Sequence, residues 1–164
     1  MQLVCAETMG IGMARMPATE LTGHIGFWMR MVSNHVSHSF ARRLAGKEVT
    51  VAEWVLLRTL YDKDPTSPSH LASELGMSRG TITKLADRLI SKRLIERVAD
   101  ALDGRAQTLE LTAPGKKLVP EIAAVADQND AEFFGCLAAD ERKTLERLLL
   151  KLVERNQITR IPTE

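Results

Sequence analysis

The sequence predicts a mainly α-helical protein with a small β-wing, and three observations lead to this fold class. The segment 69–92 reads as two helices separated by a tight turn at Gly76. The segments 94–99 and 106–111 read as short strands on either side of a loop. The flanking parts of the 164-residue chain carry apolar residues at helical spacing.

The chain before the helix pair is predicted to form a tail and two helices. Residues 1–18 show no clear period and are expected to be a flexible tail. A long helix is predicted from Thr19 to about Gly46. A second follows at Thr50–Lys63, with Thr50 as the expected N-cap. The segment 64–68 contains two prolines and reads as a loop.

The helix pair has the order of a helix-turn-helix. Gly76 stands where the turn needs a positive φ, which glycine adopts cheaply. Ser78 is a good N-cap for the second helix, because its hydroxyl can accept a hydrogen bond from a free N–H of the first turn. That helix has one apolar stripe, made of Ile82, Leu85, Ala86 and Leu89. The residues off the stripe are Arg79, Gly80, Thr81, Thr83, Lys84, Asp87 and Arg88.

This polar face suits the major groove of double-stranded DNA. Arg79 and Lys84 are expected to contact bases or phosphates, and Arg88 to reach phosphate. Thr81 and Thr83 can donate their hydroxyls to phosphates or bases and present methyl groups to thymine. The alternative is an ordinary solvated face, but the turn, the cap and the following wing occur together, which favours DNA.

The remaining DNA-facing residues lie in the helix interior and the wing. Gly80 lets the backbone approach DNA closely, whereas Asp87 could accept from cytosine or orient a nearby arginine. Arg105, beside Gly104 at the wing tip, is expected to enter the minor groove, where a narrow A·T segment attracts guanidinium. Asp103 either braces that loop by pairing with an arginine or is a plain turn residue.

Two further helices are predicted after the wing. Thr112 is the expected cap of the first, with Pro114 in its first turn, where a missing N–H is tolerated. This helix should run to about Leu137, with a kink or local loosening at Pro120. Asp140–Asn156 is predicted as the last helix, with a broad apolar face.

These segments resemble the MarR family of bacterial winged helix-turn-helix transcriptional regulators, from about Gly23 to Arg155. The matching motif residues are Ser78, Arg97, Asp103 with Arg105, and Leu111-Thr112 with Gly115. One departure concerns the end of the second helix of the pair, which in the family is often Lys-Gly-Leu. Here it is Lys92-Arg93-Leu94, and a non-glycine residue at a left-handed cap costs roughly 1 kcal/mol.

The resemblance implies a homodimer that binds a pseudo-palindromic operator. Residues 49–111 would form the winged helix-turn-helix DNA-binding domain, and 19–48 with 112–157 the helical dimerisation region. Half-site centres would lie about one duplex turn apart, roughly 10 bp. Repression is the usual role in the family, with release from DNA by a small-molecule effector.

A polar stripe on the first helix is the candidate effector site. His35, His38 and Arg42 could anchor a small organic anion, with Trp28 as a wall. The plainer interpretation is a helix or subunit seam in which the histidines are satisfied by neighbouring carbonyls. A metal held by His35 and His38 is a third interpretation, although no carboxylate or thiolate partner is evident nearby.

Composition and motifs limit the other function classes. The net charge of +1 is too low for a general nucleic-acid coat, but seven basic residues against four acidic ones between positions 76 and 105 form a local positive patch. No catalytic motif, cofactor site, metal-ligand set, membrane span or signal peptide is apparent, so a cytoplasmic, non-enzymatic protein is expected. Alternatives are a thiol-responsive regulator using Cys5 or Cys136, a metal-responsive one, and a winged-helix protein-interaction module.

Overall fold

The computed structural model of the protein describes residues 18–99 and 107–159. Within this part of the chain, a 3₁₀ turn precedes six α-helices and two strands. In chain order the elements are the turn Leu21–Gly23, α1 Ile25–Ala45, α2 Val51–Leu60, α3 Pro68–Leu75, α4 Arg79–Ser91, β1 Ile95–Ala99, β2 Gln107–Leu111, α5 Ala113–Phe134 and α6 Ala139–Arg155. The predicted fold class, mainly α with a small β-wing, is confirmed.

Helix boundaries differ from prediction at the start of α1 and at the ends of α2 and α5; α2 ends at Leu60 and not at Lys63. α1 begins at Ile25 and not at Thr19, because Leu21–Gly23 forms a separate 3₁₀ turn. α5 ends at Phe134, three residues before its predicted end, and continues through Pro120 as one helix. Pro120 is exposed, so the carbonyl that loses its backbone donor there lies near solvent.

Side-chain caps fix the starts of four helices. The hydroxyls of Thr50, Ser67, Ser78 and Thr112 each accept a hydrogen bond from the backbone N–H three residues later. The helix-turn-helix turn also follows prediction, since Gly76 has φ 64° in the left-handed region. Local chemistry therefore determines where α2, α3, α4 and α5 begin.

The wing hairpin is joined to the rest of the lobe by a third piece of extended backbone. β1 and β2 pair antiparallel, with Ile95 opposite Leu111 and Arg97 opposite Leu109. On the other side of β2, Thr66 and Leu109 exchange both backbone hydrogen bonds, at 3.0 and 2.9 Å. At Leu109, β2 therefore has extended backbone on both sides, Arg97 of β1 on one and the hydrogen-bonded Thr66 on the other, which anchors the base of the wing.

Apolar side chains divide into a buried core and two exposed groups. The core residues are Leu44, Val49, Leu56, Leu57, Leu60, Leu71, Ala72, Leu75, Ile82, Leu85, Ala86, Leu89, Ile95, Leu109, Leu111, Val119 and Ile122. Large exposed apolar residues of the described chain are Leu21, Ile25, Trp28, Met29, Met31 and Val32, and then Leu148, Leu149, Leu150, Leu152, Val153 and Ile158. The second group lies on and after α6, which has no buried residue.

None of the helices described here is both long enough and apolar enough to cross a lipid bilayer.

Candidate nucleic-acid interface

Helix α4 separates its residues into a buried face and an exposed face. Ile82 and Leu89 are fully buried, and Leu85 and Ala86 lie beside them in the core. All eight predicted DNA-facing positions from Ser78 to Arg88 are exposed. The sequence pattern therefore placed the apolar stripe correctly, and the basic groups of Arg79, Lys84 and Arg88 project from the opposite side.

Hydrogen bonds within α4 organise its N-terminal turn. The Ser78 hydroxyl accepts from the Thr81 N–H at 3.1 Å and lies 2.9 Å from the Thr81 hydroxyl. The Thr83 hydroxyl donates to the Arg79 carbonyl at 3.0 Å. Both threonine hydroxyls thus have hydrogen-bond partners within α4 and its cap. The positive end of the helix dipole adds to the attraction for phosphate here.

Gly80 is not required by the packing of the chain itself. A Cβ built at this position would have only the Ser78 hydroxyl within 4 Å, at an ordinary contact distance of 3.8 Å. Its φ is not in the left-handed region either. The absence of a side chain at Gly80 therefore leaves space on the outer face of the helix and not inside the fold.

Asp87 pairs with an arginine of the wing. Nη2 of Arg97, on β1, donates to Oδ1 of Asp87 at 2.5 Å. Of the two roles considered for Asp87, the structure therefore contains the second, a pairing with a neighbouring arginine. Arg97 was known from the sequence only as a motif residue, because its contact forms only when β1 folds back beside α4.

The wing tip itself falls outside the described residues. Asp103 and Arg105 lie between Ala99 and Gln107, the last residue of β1 and the first of β2.

The turn after α4 takes the left-handed form despite lacking glycine. Arg93 has φ 58°, and the Leu94 N–H donates to the Leu89 carbonyl at 2.9 Å. The Thr112 hydroxyl donates to the Arg93 carbonyl at 2.7 Å. A Cβ at Gly115 would lie 2.0 Å from the Leu94 carbonyl oxygen, so only glycine lets α5 begin this close to the turn.

An ion pair that sequence reasoning missed joins the end of α4 to α2. Lys92 Nζ donates to both carboxylate oxygens of Glu53, at 2.9 and 2.8 Å. Burial raises the pKa of Glu53, but hydrogen bonds from Lys92 and from the Thr50 backbone outweigh this and hold the pKa below its ordinary value. The capping-box pattern of Thr50 and Glu53 was visible in the sequence, whereas a lysine 39 residues away was not.

The predicted effector residues lie along the outside of α1. Trp28 Nε1 donates to the Thr22 carbonyl at 2.9 Å, and the His35 ring lies 5.5 Å from the Phe133 ring of α5. His38 and Arg42 are exposed. Because a helix rises 1.5 Å per residue, Trp28 and Arg42 stand about 21 Å apart along its axis. One small molecule cannot contact all four side chains from this single helix.

No cluster of three or more potential metal ligands occurs among residues 18–99 and 107–159. His35 and His38 share the outer face of α1 without a carboxylate or thiolate in such a group. The nearby ionic contacts are between helices: Arg43 pairs with Glu132, and Lys47 Nζ donates to Glu121 at 2.8 Å. Hydrogen bonds from these bases lower the pKa of Glu132 and of Glu121.

Comparison with known proteins agrees with this architecture. A family model described as "MarR family" matches residues 48–106, from the turn after α1 to the residue before β2. A probable transcriptional regulator from Pseudomonas aeruginosa is 29% identical; the match covers 81% of this chain and 99% of that one, with a TM-score of 0.71. MarR from E. coli in its apo form is 27% identical over 79% of this chain and 96% of its own, with a TM-score of 0.68.

A third solved structure is MepR from S. aureus in complex with DNA. It is 24% identical, covers 80% of this chain and 98% of its own, and has a TM-score of 0.71, which shows a shared fold. The segment matched by the family model contains the capped helix α4 and the strand β1. The chain is therefore similar to the MarR family over residues 48–106, and it shares the fold of the solved MarR structure.

Proposed function

We propose that this protein is a sequence-specific, double-stranded-DNA-binding transcriptional regulator that acts as a homodimer. The observation that carries the proposal is the exposed face of α4, where Arg79, Lys84 and Arg88 project opposite a fully buried stripe. A rigid helix with this face fits the major groove. The same fold in the MepR–DNA complex supports this role.

Individual contacts follow from position on the helix. Arg79 and Lys84 lie in its N-terminal half and are proposed to reach base edges and phosphates, whereas Arg88 reaches phosphate. Gly80 leaves room for the backbone to approach the duplex. Arg105 is proposed to enter the minor groove, with Asp103 bracing the wing tip.

The dimer is proposed to form through the exposed apolar residues of the helical region, 19–48 and 112–157. Leu148, Leu149 and Leu152 on α6 are each more than two-fifths exposed in the single chain, as is Trp28 on α1. Such surfaces mark protein–protein interfaces when they are contiguous. A two-fold arrangement would present two copies of the 49–111 domain to half-sites about one turn, roughly 10 bp, apart.

Regulation is proposed to follow the pattern usual in the family, repression with release by a small organic anion. His35, His38 and Arg42 are the proposed anchors, since they span about 10 Å of helix. Trp28 stands too far along α1 to share the same small ligand unless a second chain closes the space. We also propose that the protein acts by binding rather than by catalysis.

The deciding experiment is selection of the purified protein on random duplexes at two salt concentrations. A palindrome with half-sites about one turn apart, bound more weakly as salt rises, supports the proposal. Failure to enrich any sequence, with no salt-sensitive retention, would instead favour a winged-helix protein-interaction module.

Substitution of Lys84 tests the assignment of α4. Lys84→Ala should lower operator affinity about tenfold, because it removes a base or phosphate contact. Lys143→Ala on α6 changes the net charge equally and is the matched control. Fluorescence anisotropy with the selected operator measures both, and equal affinities would contradict the assignment.

A further inference from the structure

Lys92, the residue that follows α4, reaches across the chain to the junction between α1 and α2. Its Nζ donates to the Glu48 carbonyl at 2.7 Å and to the two Glu53 carboxylate oxygens at 2.9 and 2.8 Å. Glu48 is the left-handed residue after α1, with φ 56°. One ammonium group therefore joins the end of α4 to the end of α1 and the first turn of α2.

The acceptor side of this contact is held firmly in place. Only 1% of the Glu53 side chain is exposed, and its carboxylate also accepts from the Thr50 N–H at 2.8 Å. The Glu48 carbonyl is oriented by the turn that closes α1, in which the Val49 N–H points back to Leu44. Removing one partner of a buried ion pair leaves an uncompensated charge, which strongly destabilises the fold. The Lys92 ammonium is therefore held at a defined position beside Glu53.

Small rotations at this end of α4 are amplified at the other end. Arg79 is 13 residues from Lys92, about 20 Å along the helix axis. A tilt of about 5° at Lys92 would thus displace Arg79 by about 1.7 Å, more than the range of lengths that a hydrogen bond tolerates. A change in the angle between α4 and the α1–α2 junction therefore moves the N-terminal residues of α4, which face the duplex in the proposed complex, more than those near Lys92.

We propose that Lys92 is a positioning residue that sets the angle between α4 and α1, and thereby the separation of the two α4 helices in the dimer. This inference rests on the proposed DNA-binding function. Its consequence is specific: Lys92 governs how sharply the dimer distinguishes operators by half-site spacing. The general electrostatic attraction to DNA depends on the other basic residues and should not change when Lys92 is substituted.

The experiment compares the selected operator with the same operator lengthened or shortened by one base pair between its half-sites. Lys92→Met keeps an unbranched chain of similar length but removes the ammonium. The ratio of affinities for correct and altered spacing should fall about tenfold in this variant. Loss of stability alone would not change the ratio, because unfolded molecules bind neither duplex.

Lys47→Met is the matched control, since it also removes one lysine at an ion pair, with Glu121 on α5, that does not involve α4. It should keep the wild-type ratio. Lys92→Arg retains a cation able to reach the same oxygens and should keep most of the wild-type affinity ratio. If Lys92→Met does not fold, Glu53→Gln keeps the bond from Thr50, removes the charge and should lower the ratio about threefold.

Two results would overturn the inference and are distinguishable from each other. If the wild type discriminates spacing and the Lys92 and Glu53 variants match Lys47→Met, Lys92 is not a positioning residue while the proposed function stands. If the wild type selects no operator, the proposed function fails and the role of Lys92 fails with it.

Discussion

The proposed DNA-binding domain, 49–111, and the proposed dimerisation region, 19–48 with 112–157, use apolar residues in opposite ways. All but three members of the buried core, Leu44, Val119 and Ile122, lie between positions 49 and 111. The large exposed apolar residues of the described chain instead lie at 21–32 and 148–158. Segment 49–111 therefore buries its apolar side chains within one chain, whereas α6 and the start of α1 leave theirs exposed, as the proposed dimer requires.

The largest effect on this difference between the two regions is expected from a charge on the apolar face of α6. Leu152→Glu should dissociate the proposed dimer, because two-fold symmetry would place the change in the interface twice, at about 4 kcal/mol per dimer in total. Leu150→Glu is the control: although Leu150 is apolar and 62% exposed, it lies on the opposite face of α6 with Lys143, Arg147 and Lys151 and is not part of the proposed interface. Sedimentation equilibrium compares the two. Equal dissociation constants would contradict the proposed interface.

A second substitution tests the place where the two regions meet. Gly115→Ala should destabilise the protein by about 3 kcal/mol, because the new Cβ would overlap the Leu94 carbonyl and push α5 from the turn after α4. Gly26→Ala, in α1, is the matched control, since its Cβ would have no atom within 4 Å. Chemical denaturation measures both, and a neutral Gly115→Ala would show that the junction is not tightly packed.

Acid should weaken the domain through Glu53. Because the folded pKa of Glu53 lies below the ordinary value of 4.5, the unfolded chain takes up the proton first as pH falls. The stabilisation is fully present above that value and is lost as pH falls through the folded pKa, with a slope of at most about 1.4 kcal/mol per pH unit. Unfolding of wild type and Glu53→Gln at several pH values measures it. A difference that stays constant below pH 5 would contradict the assignment.

The smallest effect is expected at the turn after α4. Arg93→Gly should raise the free energy of unfolding by about 1 kcal/mol, because glycine adopts the left-handed conformation without strain. Ser91→Gly, inside the last turn of α4, should lower stability instead. Thermal unfolding compares them. A destabilised Arg93→Gly would mean that the arginine side chain contributes more than its backbone strain costs.

Local chemistry explains what could be predicted from the sequence. Ser78 and Thr112 were identified as caps and Gly76 as a positive-φ turn, because each rule involves residues within one turn of a helix. The apolar stripe of α4 was predicted for the same reason. The proposed DNA-facing residues follow directly from that stripe, since they occupy the rest of the helix circumference.

What could not be predicted depends on contacts between distant segments. Thr66 joins Leu109 through backbone atoms alone, so no side-chain pattern in the sequence indicates this contact. Lys92 was visible as a residue at a helix end, but its acceptors Glu48 and Glu53 become neighbours only after α1, α2 and α4 pack. At Pro120, α5 extends through the proline as one helix, so the proline does not end it.

The absence of buried residues in α6 has a consequence for folding. A single 17-residue helix with no tertiary burial is only marginally stable in water. If a second chain supplies its apolar neighbours, folding of α6 and association become one equilibrium, governed by mass action. The helical content of the protein would then depend on its concentration. Dilution would yield monomers with an intact DNA-binding domain and a C-terminal segment open to proteases.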